Sequence, residues 1–259
     1  MMNDVCYYHL NHQCFGTRYL GQNAEELANL LGYNYKEYFI AGKSKKIKDY
    51  KLYFPDTIIV DGIKMVYPAS AEELFIIYQL KGPLAGEEKY KQLSVRQPDI
   101  IRPINTAISG LADICSSGLT NTNFSNKIKW LKEQSKLTNQ LSGFIAYRKE
   151  KPVALIEFIR EDNCMYMLPE KRRDYLFITC LNNFPQLYYD YRPSLIKQIV
   201  EFAKGNKFKG ISVIAGSNTI FPNGPIKFFH DLNFQTVAYL DEVLLRDCWE
   251  DIFYLEYEI

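Results

Sequence analysis

The chain has 259 residues, 47% of them hydrophobic, which is enough to bury one large core or two small ones. Thirty-one Lys and Arg stand against 30 Asp and Glu, a net charge of +1, so the broad positive field of a nucleic-acid binder is missing. No apolar run reaches the roughly 20 residues that span a bilayer, and the N-terminus lacks the charged-then-apolar order of a signal peptide, so no membrane partner and a cytoplasmic location are expected.

Six cysteines are scattered without a C-x-x-C pair, and only three histidines are present. Reduced thiols and no metal site are expected on that arithmetic. Gly82-Pro83 and Gly86 interrupt the periodic pattern and predict two units, 1–97 and 98–259. In the first unit, residues 5–10 read as a strand. Asn23, with Glu26 three residues on, reads as a helix start, and Leu27, Leu30 and Leu31 share a face. Residues 35–40 read as a second strand. The basic run Lys43-Ser44-Lys45-Lys46-Ile47-Lys48 reads as a solvated loop. Residues 56–60 and 63–67 flank Asp61-Gly62, a pair that favours a tight hairpin. Ser70-Ala71-Glu72-Glu73 is a capping box ahead of a helix over 74–80.

The order strand, helix, strand, hairpin, helix, with Pro55 just before the hairpin, resembles a thioredoxin-like domain. The resemblance implies a cis bond at Pro55 and a reactive-thiol loop at Cys14-Phe15-Gly16-Thr17, although only one cysteine of the redox pair is present. A thiolate at Cys14 would be stabilised by a helix N-terminus and by Arg18. An ordinary structural cysteine is the competing reading.

The second unit opens with Ile100-Ile101-Arg102-Pro103 as a strand and an amphipathic helix over 104–115. Ser125 reads as the cap of a helix over 126–137. Residues 143–147 and 151–159 form a hairpin. Residues 175–181 are nearly all apolar, as in a central strand. A helix over 195–204 carries one broad apolar face. A strand over 210–215, a helix over 224–232 and strands near 236–246 and 252–258 complete the unit.

That order, with Asn223 leading into Phe228-Phe229 and Asn233-Phe234, resembles the GNAT superfamily of N-acetyltransferases, whose chains often read N-x-x-A-x-x-F-Y-x-x-x-G-F there. The resemblance implies an α/β (α+β) fold with a mixed, mostly antiparallel sheet flanked by helices. It also implies acetyl-CoA or another acyl-CoA as co-substrate, and a small-molecule or protein amine as acceptor. The central strand, with Cys180, Leu181 and Asn182 near its end, would pair with pantetheine. The loop over 183–194 would hold the pyrophosphate. That loop contains no glycine, so backbone N–H groups are hard to bring to a phosphate. Arg192 could supply charge and Ser194 could cap the helix.

Asn223 would contact pantetheine, or it serves the turn Pro222-Asn223-Gly224-Pro225. Phe229 stands where many members carry an acidic tyrosine, and it cannot donate a proton. It is otherwise a core residue. Glu157, facing opposite to Ile156 and Phe158, is the candidate general base; a solvent-facing carboxylate is the alternative. Cys180 could approach the thioester or be an inert buried thiol. A GNAT-like N-acyltransferase is the first expectation, and a non-catalytic GNAT-shaped binding module is the second.

Overall fold

The structure of the protein, a computed structural model, describes residues 3–10, 12–14, 17–40, 45–66, 69–84, 91–104, 121–184, 188–219 and 221–259. The N-terminal part holds β1 (Asp4–Leu10), α1 (Thr17–Leu31), β2 (Asn34–Ile40), α2 (Lys45–Asp49), β3 (Asp56–Val60), β4 (Ile63–Met65) and α3 (Ala71–Leu80). Strand β1 runs parallel to β2 and antiparallel to β3. The β3–β4 turn works because Asp61 and Gly62 both take positive φ, 48° and 84°, the backbone that a two-residue hairpin demands. The capping box forms: the Ser70 side chain accepts from Glu73 N at 3.2 Å, and Ser70 N donates to Glu73 Oε2 at 3.0 Å.

Four expectations are corrected here. Helix α1 begins at Thr17, so Asn23 lies inside it and caps nothing. Its Nδ2 instead donates to Ala69 O at 2.6 Å, tying α1 to the turn before α3. Leu30 faces solvent while Leu27 is buried. The basic run continues into helix α2, because Ile47 gives it one buried anchor. Pro55 follows a trans bond; among the described residues the cis bond is Phe221–Pro222.

The C-terminal part holds β5 (Ser94–Val95), β6 (Ile100–Pro103), α4 (Asn121–Ser135), β7 (Gly143–Arg148), β8 (Lys151–Arg160), β9 (Tyr175–Asn183), β10 (Tyr189–Asp190), α5 (Arg192–Gly205), β11 (Gly210–Gly216), α6 (Ile226–His230), β12 (Gln235–Leu244) and β13 (Trp249–Glu258). The helix expected over 104–115 lies almost wholly outside the described residues. Ser125 falls within α4 rather than at its start.

One sheet of eleven strands runs β2-β1-β3-β4-β12-β13-β11-β9-β8-β7-β6, and β5 pairs with β10 apart from it. Within the eleven-stranded sheet the pairs β1/β2, β4/β12 and β9/β11 are parallel and the others are antiparallel; β5 and β10 are parallel. The mixed, mostly antiparallel sheet flanked by helices is therefore observed. Helices α5 and α6 cover one face through Leu195, Ile196, Ile199, Ala203 and Phe229, packed on Ile156, Phe158, Ile178 and Val213. The other face of β7, β8 and β9 shares a core with the N-terminal part, where Tyr8, Leu52 and Phe54 meet Ile145, Leu155 and Phe177. Among the described residues, no helix is long and apolar enough to cross a membrane. None of these residues form a group of three or more His, Cys, Asp or Glu able to hold a metal ion.

Candidate functional site

Strands β9 and β11 are parallel neighbours over only part of their length. They pair from Tyr175↔Gly210 to Ile178↔Val213, and then the pairing stops. The cause lies on β9. Phe158 pairs with Ile178 and Glu157 with Cys180, so Thr179 is an extra residue, a β-bulge. A bulge bends its strand and re-aims the residues after it. Beyond it β9 continues to Asn183 and β11 to Gly216 as diverging strands.

Asn223 spans this opening. Its Oδ1 accepts from Leu181 N at 2.9 Å, and its Nδ2 donates to Ile214 O at 3.0 Å. One carboxamide thus satisfies one backbone group on each strand. Asn223 sits at φ 64°, a left-handed conformation that asparagine tolerates. Gly224, at φ 129°, follows where a Cβ would come within 3.0 Å of Arg192 Nη1.

On the face away from α5, Glu157 is buried rather than solvent-facing. Its Oε2 lies 2.5 Å from Lys127 Nζ, and Lys127 is buried as well. Lys127 also donates to Gln13 O and lies 4.9 Å over the Trp130 ring. Gln13 Nε2 donates to Thr179 O at 3.1 Å, on the bulge itself. The loop after β1 therefore reaches the opening and closes it from the Glu157 side. Cys180 is half-buried opposite Glu157, Leu181 is buried, and Asn182 is half-buried opposite Leu155. A buried ion pair needs such added hydrogen bonds to offset desolvation.

Asn183 ties the end of β9 to Tyr189 and Tyr191. Asn183 Nδ2 donates to Tyr189 O at 3.0 Å, and Asn183 Oδ1 accepts from Tyr191 N at 3.1 Å. Arg192 does not project toward a ligand. It is buried; its Nε and Nη2 bond Asp190 Oδ1 and Oδ2 at 2.9 and 2.7 Å, and Nη1 reaches Asn223 O at 3.3 Å. The guanidinium lies 4.3 Å over the Phe228 ring. Ser194 is not the cap of α5 but its third residue, and its Oγ donates to Gln97 Oε1 at 2.9 Å.

The N-terminal N–H groups of α5 are already accounted for. Arg192 N donates to Asp190 Oδ1 at 3.0 Å, Pro193 has none, and Ser194 N donates to Tyr191 O at 3.2 Å. Phe229 is fully buried, with edge contacts to Phe228 and Phe234 at 5.0 and 5.3 Å between centroids. Cys14 is exposed, three residues before α1 begins; the Arg18 side chain lies outside what the structure describes.

The opening thus gathers Cys180, Leu181, Asn182 and Asn223, with Glu157 on one face. Arg192 touches it only through Asn223 O, and its other bonds go to Asp190; Ser194 is bonded to Gln97. Sequence reasoning missed Lys127, Gln13, Asn183 and Asp190. Lys127 had a usable signal: it shares a helical face with the buried Trp130 and Leu131. Asp190 also had one, standing two residues before an arginine at a helix start.

No family model matches the chain, and no curated protein does. Solved structures similar to it include an N-acetyltransferase from Staphylococcus aureus Mu50, at 14% identity and TM-score 0.47, over 61% of this chain and 97% of that one. Another is a ribosomal-protein-alanine N-acetyltransferase from Brucella melitensis, at 13% identity and TM-score 0.46, over 62% and 99%. A third is the PaiA N-acetyltransferase from Thermoplasma acidophilum in complex with coenzyme A, at 13% identity and TM-score 0.39, over 62% and 98%.

Proposed function

We propose that the chain is an N-acyltransferase that moves an acetyl or other acyl group from a CoA thioester to an amine of a small molecule or protein. The observation that carries this reading is the opening between β9 and β11, where two parallel strands part at a bulge and a carboxamide already bridges them. Strand backbone that takes an amide from outside the sheet suits an amide-bearing arm, and pantetheine has two amides. Its thioester would run along β9 past Leu181 and Cys180. The amine would approach from the Glu157 face once Gln13 and Lys127 move aside.

In the transfer, the amine nitrogen forms a bond to the thioester carbonyl carbon. The carbon–sulfur bond breaks, and the sulfur leaves with the electron pair. Glu157 would accept the proton that the nitrogen sheds. Lys127 Nζ occupies its Oε2 and also donates to Gln13 O, so these contacts must loosen before the amine can reach the carboxylate. Phe229 supplies no proton to the sulfur, which solvent must protonate.

A second reading rests on a separate observation. The clamp of Asn183, Asp190, Arg192 and Ser194 fills the place where a pyrophosphate loop would act. A non-catalytic GNAT-shaped binding module would look the same there. Thiol release from acetyl-CoA, followed with the full chain and a panel of primary amines, separates the two readings. An enzyme releases thiol in proportion to amine, and Glu157→Gln lowers the rate by about 10²-fold or more. Release no faster than in buffer with every amine leaves the binding module.

A further inference from the structure

We propose that the acyl donor is recognised through its pantetheine arm alone, and that the nucleotide diphosphate adds no affinity. The proposal rests on the acyltransferase reading and narrows its donor to a pantetheine thioester, whatever is attached at the far end. Two parts of one site carry it, and they point in opposite directions.

The first part favours amides. Leu181 N–H and Ile214 C=O lie on either side of the opening, and a single carboxamide, that of Asn223, satisfies both at 2.9 and 3.0 Å. The two walls are therefore polarised for an amide, with a donor on one and an acceptor on the other, and an amide of the arm would bind by taking the place of Asn223.

The second part disfavours phosphate. An anion at a helix start is held by unpaired N–H groups and by the positive end of the helix dipole. At α5 the first of these N–H groups already meets a carboxylate, Asp190 Oδ1 at 3.0 Å. The second residue is Pro193 and has none, and the third N–H is bonded to Tyr191 O. The cation that could compensate, Arg192, is neutralised by the same carboxylate through two bonds at 2.9 and 2.7 Å. Asp190 is buried and its carboxylate is held by three bonds from Arg192. A diphosphate brought here would meet a carboxylate that already holds the helix end and the arginine.

The segment 94–97 packs on the same residues. Strand β5 pairs with β10, Arg96 N donates to Asp190 O at 3.0 Å, and the Arg96 guanidinium lies 4.5 Å over the Tyr189 ring. Gln97 takes the Ser194 hydroxyl. The segment 94–97 thus lies along Tyr189, Asp190 and Ser194.

The test is calorimetric titration of the full chain with S-acetylpantetheine, acetyl-CoA and ADP. The two thioesters are expected to bind within about threefold of each other, and ADP is expected to displace neither. Acetyl-CoA binding tighter by about tenfold or more, or displacement by ADP, overturns the proposal while leaving the acyltransferase reading intact. If neither thioester binds, both fall. Asp190→Asn removes the competing charge and should let acetyl-CoA overtake S-acetylpantetheine. Unchanged relative affinities in a folded Asp190→Asn protein would count against Asp190 as the cause.

Discussion

At the scale of single residues, burial decides the role of each polar group. Arg192 shows this best. It is buried against Asp190, so removing it strands a carboxylate rather than a ligand contact. Arg192→Ala should lower unfolding free energy by about 3–5 kcal/mol. The double variant with Asp190→Asn should recover part of that loss, as denaturant titration of the four-protein cycle would show. Additive effects would mean the pair is not coupled. Phe229 is a second case. Its ring touches Phe228 and Phe234 and is fully buried, so Phe229→Tyr buries a hydroxyl among apolar neighbours. The expected cost is about 1–3 kcal/mol with no gain in thiol release. Faster thiol release would place the hydroxyl at the sulfur after all.

His9 is a third case, and it titrates. It stacks on Tyr7 with centroids 5.2 Å apart, and its Nε2 lies 3.0 Å from Glu37 Oε1. Its Nδ1 is buried with no hydrogen-bond partner among the described residues. Burial holds its pKa below the ordinary 6.5, against the upward pull of Glu37 and with the help of His12. A folded value below the unfolded one means that the unfolded chain takes up the proton first. The stability His9 contributes is therefore present above pH 6.5 and lost as pH falls through the folded value. The thermal midpoint should drop on acidifying below pH 6.5, and less steeply in His9→Gln. Parallel pH curves for the two proteins would remove His9 from the account.

At the scale of elements, the sequence disclosed what short-range chemistry determines. The Asp61-Gly62 turn, the Ser70–Glu73 box and the apolar run of β9 each depend on neighbours within a few residues. The order of strands and helices followed from them, and with it the fold class. The partners inside the site were not legible, because they come from far along the chain. Gln13 meets Thr179 across 166 positions, and Lys127 meets Glu157 across 30. Register was hidden for a similar reason: the bulge at Thr179 answers to β8 and leaves no compositional mark. The opening it creates can be tested through Asn223. Asn223→Gly keeps the left-handed backbone but removes the amide that bridges Leu181 and Ile214. Two backbone groups lose a partner, so a loss of about 1–3 kcal/mol is expected. Hydrogen exchange at Leu181 should accelerate with it. Unchanged protection at that amide would show that Asn223 does not close the opening.

At the scale of the whole molecule, the parts 1–97 and 98–259 meet through a shared core, and we propose that they are two units in chain order that stand or fall together. Tyr8, Leu10, Ile40, Ile47, Leu52, Tyr53, Phe54, Ile59 and Val66 belong to the same buried cluster as Ile145, Leu155, Phe177 and Tyr254. Polar contacts follow the same boundary: Met167 N to Leu52 O at 3.3 Å, and Arg246 Nη2 to Glu73 Oε1 at 2.8 Å. Phe54 stacks on Phe221 at 5.2 Å. A chain beginning at Gln97 would lose all nine apolar side chains, each worth roughly 1.5–3 kcal/mol when fully buried. Even half of that sum rivals the about 5–15 kcal/mol that holds a whole domain together. It would also leave Lys127 and Thr179 without Gln13. The shortened chain should show no cooperative melt and should bind a hydrophobic dye at 25 °C, the temperature to which these free energies apply. A sharp transition within a few degrees of the full chain's would mean that the face under β7, β8 and β9 can be covered some other way. The N-terminal loop would then be a guest at the site rather than one of its walls.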